Sequence, residues 1–151
     1  MDSNCKAVMM AWEHPLMEAH AKAVCSGGGH VLNIGFGMGL VDTATQKYSP
    51  ASHTKPSLRL TRRFISEDLR EFHQHLPKLL KPSGIYSFFN GPCGGNAFFH
   101  VVCCHLVSLE LQNLGYSTQF IPLPVKDCLG EQVWEGVKQK YWQLDTYYLP
   151  V

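Results

Sequence analysis

At 151 residues the chain suits one domain, and with 45% hydrophobic, 17% charged and 11% aromatic residues its composition excludes a disordered or low-complexity chain. A formal charge of +1 gives no electrostatic reason to expect nucleic acid or an acidic membrane surface as a partner. Six cysteines, at 5, 25, 93, 103, 104 and 128, include no CxxC pair, which argues against a zinc site or a disulfide framework and for free thiols in a reducing compartment.

In chain order, no apolar run follows a basic start at the N-terminus, so no secretion signal is expected. PLMEAHAKAVC after Glu13 places apolar residues at 16, 17, 21, 24 and 25, a helical spacing with Pro15 suited to the first turn. SGGG at 26–29 ends that helix, and HVLNI at 30–34 reads as a parallel strand buried on both faces. A glycine loop and an amphipathic helix follow, which opens an α/β domain. Residues 49–56, SPASHTKP, are loop by composition, and SLRLTRRFI at 57–65 fits either a strand or a lead into the next helix. That helix has Ser66 as its N-cap, Glu67 and Asp68 in its first turn, and a break near His75 imposed by Pro77. IYSFFNG at 85–91 reads as a second buried strand, followed by GPCGG and the helix NAFFHVVCCHLVSLELQNLG. Residues 116–125 and 141–151 are aromatic and β-branched, as strands are, with a short helix or loop at 130–139 between them. The longest apolar stretch, AFFHVVCCHLV at 97–107, falls well short of the roughly 20 residues that span a bilayer. A soluble protein of the cytoplasm or nucleus is expected.

A glycine-rich turn between a strand and a helix lets a ligand approach bare backbone, because no Cβ blocks it. The glycines here are Gly35, Gly37 and Gly39, with Leu40 where the dinucleotide fingerprint has its third glycine. VMMAWEHPLMEAHA followed by GGGHVLNIGFGMGLVDTA resembles the S-adenosylmethionine-dependent methyltransferases of the guanidinoacetate N-methyltransferase and arginine N-methyltransferase 2 group. LREFHQHLPKLLKPSGIYSFFNG, LGYSTQFIPLPVK and WQLDTYYLPV resemble the C-terminal half of the arginine N-methyltransferase 2 type. The resemblance covers nearly the whole chain apart from about residues 49–67.

The resemblance implies an α/β fold, the Rossmann-like class I methyltransferase three-layer sandwich, in a single domain over 1–151. It also implies S-adenosylmethionine as cofactor and methyl transfer to the δ-nitrogen of arginine in a protein substrate; cysteine spacing, apolar-run length and charge separately lead to the expectation of no metal, no membrane and no nucleic acid. Carried onto this sequence, Gly35, Phe36, Gly37, Met38, Gly39 and Leu40 match the loop that holds the cofactor. Met9 and Glu13 match the element that closes over cofactor and acceptor, Met9 on the cofactor and Glu13 as the catalytic acid. Asn90 matches a position near the acceptor pocket. The residue types suit the chemistry: methyl transfer is mostly alignment of two partners, and a carboxylate orients a planar guanidinium through paired hydrogen bonds.

Part of the family's pattern is missing. Folds of this kind place an acid about 20 residues past the glycine loop for the ribose hydroxyls. Between Asp42 and Glu67 this chain has only basic charges, Lys47, Lys55, Arg59, Arg62 and Arg63. The family's third and fourth strands, the latter ending in an Asp-Thr-Tyr element, have no counterpart, since two βα units need ~30 residues or more each. The similar LDTY at 144–147 lies in the stretch resembling the final strand, so Asp145 is not assigned that role. The expectation is a truncated sandwich, its second to fourth strands largely absent, with an irregular junction around 49–66. Loss of the fourth strand leaves its two neighbours without a shared partner, and activity is expected to suffer.

Plainer readings compete at several positions. Glu13 can decorate a surface helix, while Trp12 and Met9 can be core. Cys103, Cys104 and His105 point in different directions on a helix and read as packing rather than metal ligands. The basic run from Lys55 to Arg63 reads as a solvated linker before an RNA or phosphate patch. A noncatalytic interaction module or pseudoenzyme derived from the family is the main alternative function, and an NADP-dependent oxidoreductase is a distant third.

Overall fold

The computed structural model describes residues 10–34, 38–54 and 65–151. The first helix, α1 (His14–Cys25), buries Leu16, Met17, His20, Ala21 and Cys25 along one face, as the sequence spacing predicts, with Pro15 in its first turn. It ends at Ser26, and Gly28 and Gly29 turn the chain with φ of 67° and 96°. Strand β1 (His30–Leu32) leads to the glycine loop, α2 (Leu40–Gln46) packs against α1, and β2 (Ser52–Thr54) returns parallel to β1. The register is His30 to Ser52, Val31 to His53 and Leu32 to Thr54, a short βαβ unit.

Two sequence expectations change here. The stretch 49–56, loop by composition, contains β2, because its backbone pairs with β1; His53 in it bonds Gln46 Nε2 (2.7 Å) and lies 3.1 Å from the buried Asp42 carboxylate. Moreover β1 is not buried on both faces: His30 and Leu32 are exposed and Val31 is half-buried. Among the described residues the sheet has two strands, without the neighbours that cover a central parallel strand.

Helices α3 (Ile65–His73) and α4 (Leu76–Leu79) flank the break that Pro77 predicts, with Gln74 and His75 as the turn between them. Helix α3 already includes Ser66, so that residue is not the cap. His73 is fully buried between Glu110 (3.3 Å) and the Tyr86 hydroxyl (3.2 Å). Residues 85–90 are not a strand, and among the described residues they form no backbone–backbone hydrogen bond. A ladder requires a neighbour, and side chains act here instead: Ser87 donates to the Pro150 carbonyl (2.6 Å), and the Asn90 N–H donates to the Tyr147 hydroxyl (3.0 Å).

After a 3-10 turn (Gly91–Cys93), Asn96 caps α5 (Ala97–Asn113) by accepting the Phe99 N–H at 3.2 Å. Only His100, Cys104 and Leu111 of α5 are buried, whereas Phe98, Phe99, Val101, Leu106 and Leu109 face solvent. Strands β3 (Phe120–Pro124) and β4 (Thr146–Pro150) form an antiparallel pair, Ile121 opposite Leu149 and Leu123 opposite Tyr147. The segment between them holds 3-10 turns at Lys126–Cys128 and Glu131–Trp134. Its core gathers Trp12, Leu16 and Met17 from the N-terminal element with Val125, Trp134, Trp142, Leu144, Tyr147 and Leu149 from the C-terminal one. The order of elements is that of an α/β chain, and among the described residues its strands form two separate pairs. No helix among them is long and apolar enough to cross a membrane.

Candidate functional site

Glu13 closes the 3-10 turn Ala11–Glu13 that runs into α1, and it is only 2% exposed, so it is not a surface ornament. Its Oε1 accepts a hydrogen bond from the Tyr141 hydroxyl at 2.5 Å, while Oε2 is buried with no hydrogen-bond partner among the described residues. Burial raises its pKa above the usual carboxylate value, against the Tyr141 bond and a backbone contact at Met10 that pull it down. Tyr141 is in turn pushed up, by burial first and then by the carboxylate beside it. An aromatic group surrounds the pair: the Trp12 ring lies 4.9 Å from Trp142, 6.2 Å from Trp134 and 6.3 Å from Tyr141, centroid to centroid. Trp12 is therefore core, as its plainer reading holds.

Of the expected cofactor residues, Met9, Gly35, Phe36 and Gly37 lie outside the described residues. Gly39 has a left-handed φ of 71° at the start of α2, where a side chain would be strained, and its carbonyl accepts both the N–H and the hydroxyl of Thr43 at 2.9 Å. Met38 is 55% exposed, and Leu40 packs on the core cluster around Trp12. Asn33 at the strand end donates to Asp42 of α2 at 3.0 Å and fixes the two sides of the loop. The described half of the loop therefore has a left-handed glycine and a largely exposed Met38.

Asn90 is buried, and its side-chain amide reaches Cys104 Sγ at 3.9 Å. Its backbone ends a directed chain of hydrogen bonds. Ser87 gives its proton to the Pro150 carbonyl, so its oxygen takes the Nδ1–H of His20 at 2.7 Å; His20 Nε2 then accepts from Tyr147 (3.3 Å), whose oxygen accepts from Asn90 N–H. That order of donors requires neutral His20, and burial lowers its pKa to about 4. Phe89, next to Asn90, stacks on Trp142 at 6.3 Å, and Trp142 touches Trp12. Glu13, Leu40 and Asn90 are therefore joined to one core through themselves or their immediate neighbours.

Tyr141, His20, Ser87 and Tyr147 are the residues that sequence reasoning missed. Tyr141 meets Glu13 across 128 positions, and the aromatic tract from 141 onward signals only a strand when read alone. His20 sits at a helical core spacing among apolar residues, the one sign of its burial available in sequence. The cysteine and histidine cluster divides: Cys104 is buried, Cys103 half-buried and His105 exposed, and among the described residues no group of three ligands could hold a metal ion.

Residues 2–56 match a family model described as Guanidinoacetate N-methyltransferase. Proteins named Protein arginine N-methyltransferase 2 are similar over essentially the whole chain. The one from Yarrowia lipolytica is 28% identical, covering 95% of this chain and 42% of the relative. Those from Cryptococcus neoformans and Aspergillus oryzae are 25% and 28% identical, covering all of this chain and 61% and 47% of theirs. The chain thus spans about half the length of the curated relatives it matches. The Aspergillus match runs over 199 residues against the 151 of this chain, so at least 48 aligned positions have no counterpart here. The βαβ unit and these matches fit the α/β class of methyltransferases. The chain is thus similar to the guanidinoacetate N-methyltransferase family over residues 2–56 and to proteins named Protein arginine N-methyltransferase 2 over nearly its whole length.

Proposed function

We propose that the chain is an S-adenosylmethionine-dependent methyltransferase acting on the δ-nitrogen of arginine in proteins of the cytoplasm or nucleus. The observation that carries this reading is the buried Glu13 carboxyl, one oxygen of which is unengaged among the described residues, on the N-terminal element of a methyltransferase-type unit. S-adenosylmethionine supplies a methyl group on a positively charged sulfur. On the protein's side, Met9 and residues 35–40 hold that cofactor, and Asn90 borders the acceptor. Glu13 Oε2 accepts from the guanidinium and balances its charge, while Tyr141 keeps the carboxyl from turning by engaging Oε1. An entering cation favours the ionised form, so acceptor binding draws the raised pKa of Glu13 back down.

We further read the junction at 49–66 as the place of a lost segment, which leaves the enzyme impaired. The longer alignments and the unpaired stretch at 85–90 support this reading. A second reading, a noncatalytic interaction module, is favoured by one observation, the solvent-facing apolar side of α5, with Phe98 71% exposed.

Calorimetry with S-adenosylhomocysteine, followed by transfer of labelled methyl to an arginine-containing protein, tests the proposal. Binding and transfer by the natural chain, with Glu13→Gln keeping binding and losing transfer, is the expected result. No heat and no thermal shift at millimolar cofactor would overturn the enzyme reading. Capture of a protein partner at unchanged strength by Glu13→Gln and Gly37→Val would favour the interaction module.

A further inference from the structure

Two thiols outside the methyl-transfer machinery face each other. Cys93 ends the 3-10 turn Gly91–Cys93, Cys103 lies on α5, and the Cys93 thiol donates to Cys103 Sγ at 3.1 Å. Both side chains are half-buried, free and within reach of a small solute. The segments that carry them are held in place. Gly94 lies so close to Trp142 that an added Cβ would sit 2.3 Å from the ring, and its carbonyl accepts Gln143 N–H at 2.8 Å. On the other side Asn96 caps α5 and bonds back to the Cys93 carbonyl at 3.4 Å. The neighbouring Cys104 points elsewhere, to Asn90 Nδ2 and His100 Nε2, each at 3.9 Å.

We propose that Cys93 and Cys103 are an oxidation site, at which a hydroperoxide converts the pair into an intramolecular disulfide tying the turn after Asn90 to α5. The sulfurs need to approach by only about 1 Å to reach bonding distance. In the first step the Cys103 sulfur, having lost its proton to solvent, attacks the peroxide. An S–O bond forms, the O–O bond breaks, and the departing hydroxide (from hydrogen peroxide) leaves as water after taking a proton. In the second step the Cys93 sulfur attacks that sulfenic acid, an S–S bond forms, the S–O bond breaks, and hydroxide departs with the Cys93 proton as a second water. Two thiols are oxidised and one peroxide is reduced. Burial and its contact with Cys103 push the Cys93 thiol up to about 12, which suits the partner that stays protonated until the second step. The site stands whether or not the chain transfers methyl groups.

The test is to treat the reduced full chain with hydrogen peroxide, unfold it, alkylate it and weigh it. The expected result is a loss of two hydrogens, a fall in alkylatable cysteines from all six to four, and reversal by dithiothreitol. Cys93→Ser and Cys103→Ser should each abolish the change, and Cys104→Ser should keep it. No change, oxygen adducts alone, or a disulfide that survives in Cys93→Ser would each overturn the proposal. Should a variant fail to fold, peptide mapping of the oxidised natural chain decides, since it must show the Cys93–Cys103 linkage.

Discussion

Acidification should weaken the fold through His20, and the size of the effect follows from its surroundings. The ring is 6% exposed and wedged between Ser87 and Tyr147 in a hydrogen-bond chain that takes only the neutral form. The unfolded chain protonates this residue near 6.5, the folded chain only near 4. The unfolded state therefore binds the extra proton first, and the stability His20 contributes is complete above 6.5 and lost as pH falls towards 4. The drop amounts to about 3 kcal/mol at about 1.4 kcal/mol per pH unit, a large share of a typical domain's stability. Burial lowers His73 and His100 too, which steepens the fall. Glu13 acts the other way, because a raised pKa gives stability that is complete below 4.5 and lost as pH rises. Subtraction isolates His20: urea unfolding of the natural chain and of His20→Gln is measured from pH 7.5 to 4. The difference between them should shrink by about 3 kcal/mol across the range. A difference that stays constant with pH would refute the burial of a neutral His20.

Three further outcomes are expected. Tyr141→Phe removes the donor to Glu13 Oε1, should cost about 1–3 kcal/mol of stability at neutral pH, and should send the Glu13 pKa higher still, as read by carbon NMR of its carboxyl. Gly94→Ala drives a Cβ into Trp142 and should cost about 1–3 kcal/mol in thermal melts, whereas Gly27→Ala, with nothing within 4 Å, should be nearly neutral; equal melts would contradict the packing. Phe98→Ser, on the open face of α5, should change stability by no more than about 0.5 kcal/mol, and a larger loss would mean that this face is covered.

Helix α1 and the break at Pro77 are legible in the sequence, because local sterics and one repeating apolar stripe decide them. The strand character of 116–125 and 141–151 follows from similarly local signals, whereas their antiparallel pairing does not. Strand existence was less legible. IYSFFNG is rich in strand-favouring residues but has no pairing neighbour among the described residues, while the polar segment 49–56 contains β2 because its backbone pairs with β1. A strand is a property of two segments, and one segment's composition records only half of it.

The glycine loop and the acid at 13 could be picked out by resemblance, yet the setting of that acid could not. Residue types and their spacing along the chain determined which helices form and which family the chain resembles, since both are written in short-range pattern. Only tertiary structure decided that Glu13 is buried against Tyr141, that His20 must stay neutral beneath Asn90, and that Cys93 meets Cys103. The first two join segments more than 100 positions apart and the third joins a turn to the helix after it, and the energy of each depends on burial that no single segment carries.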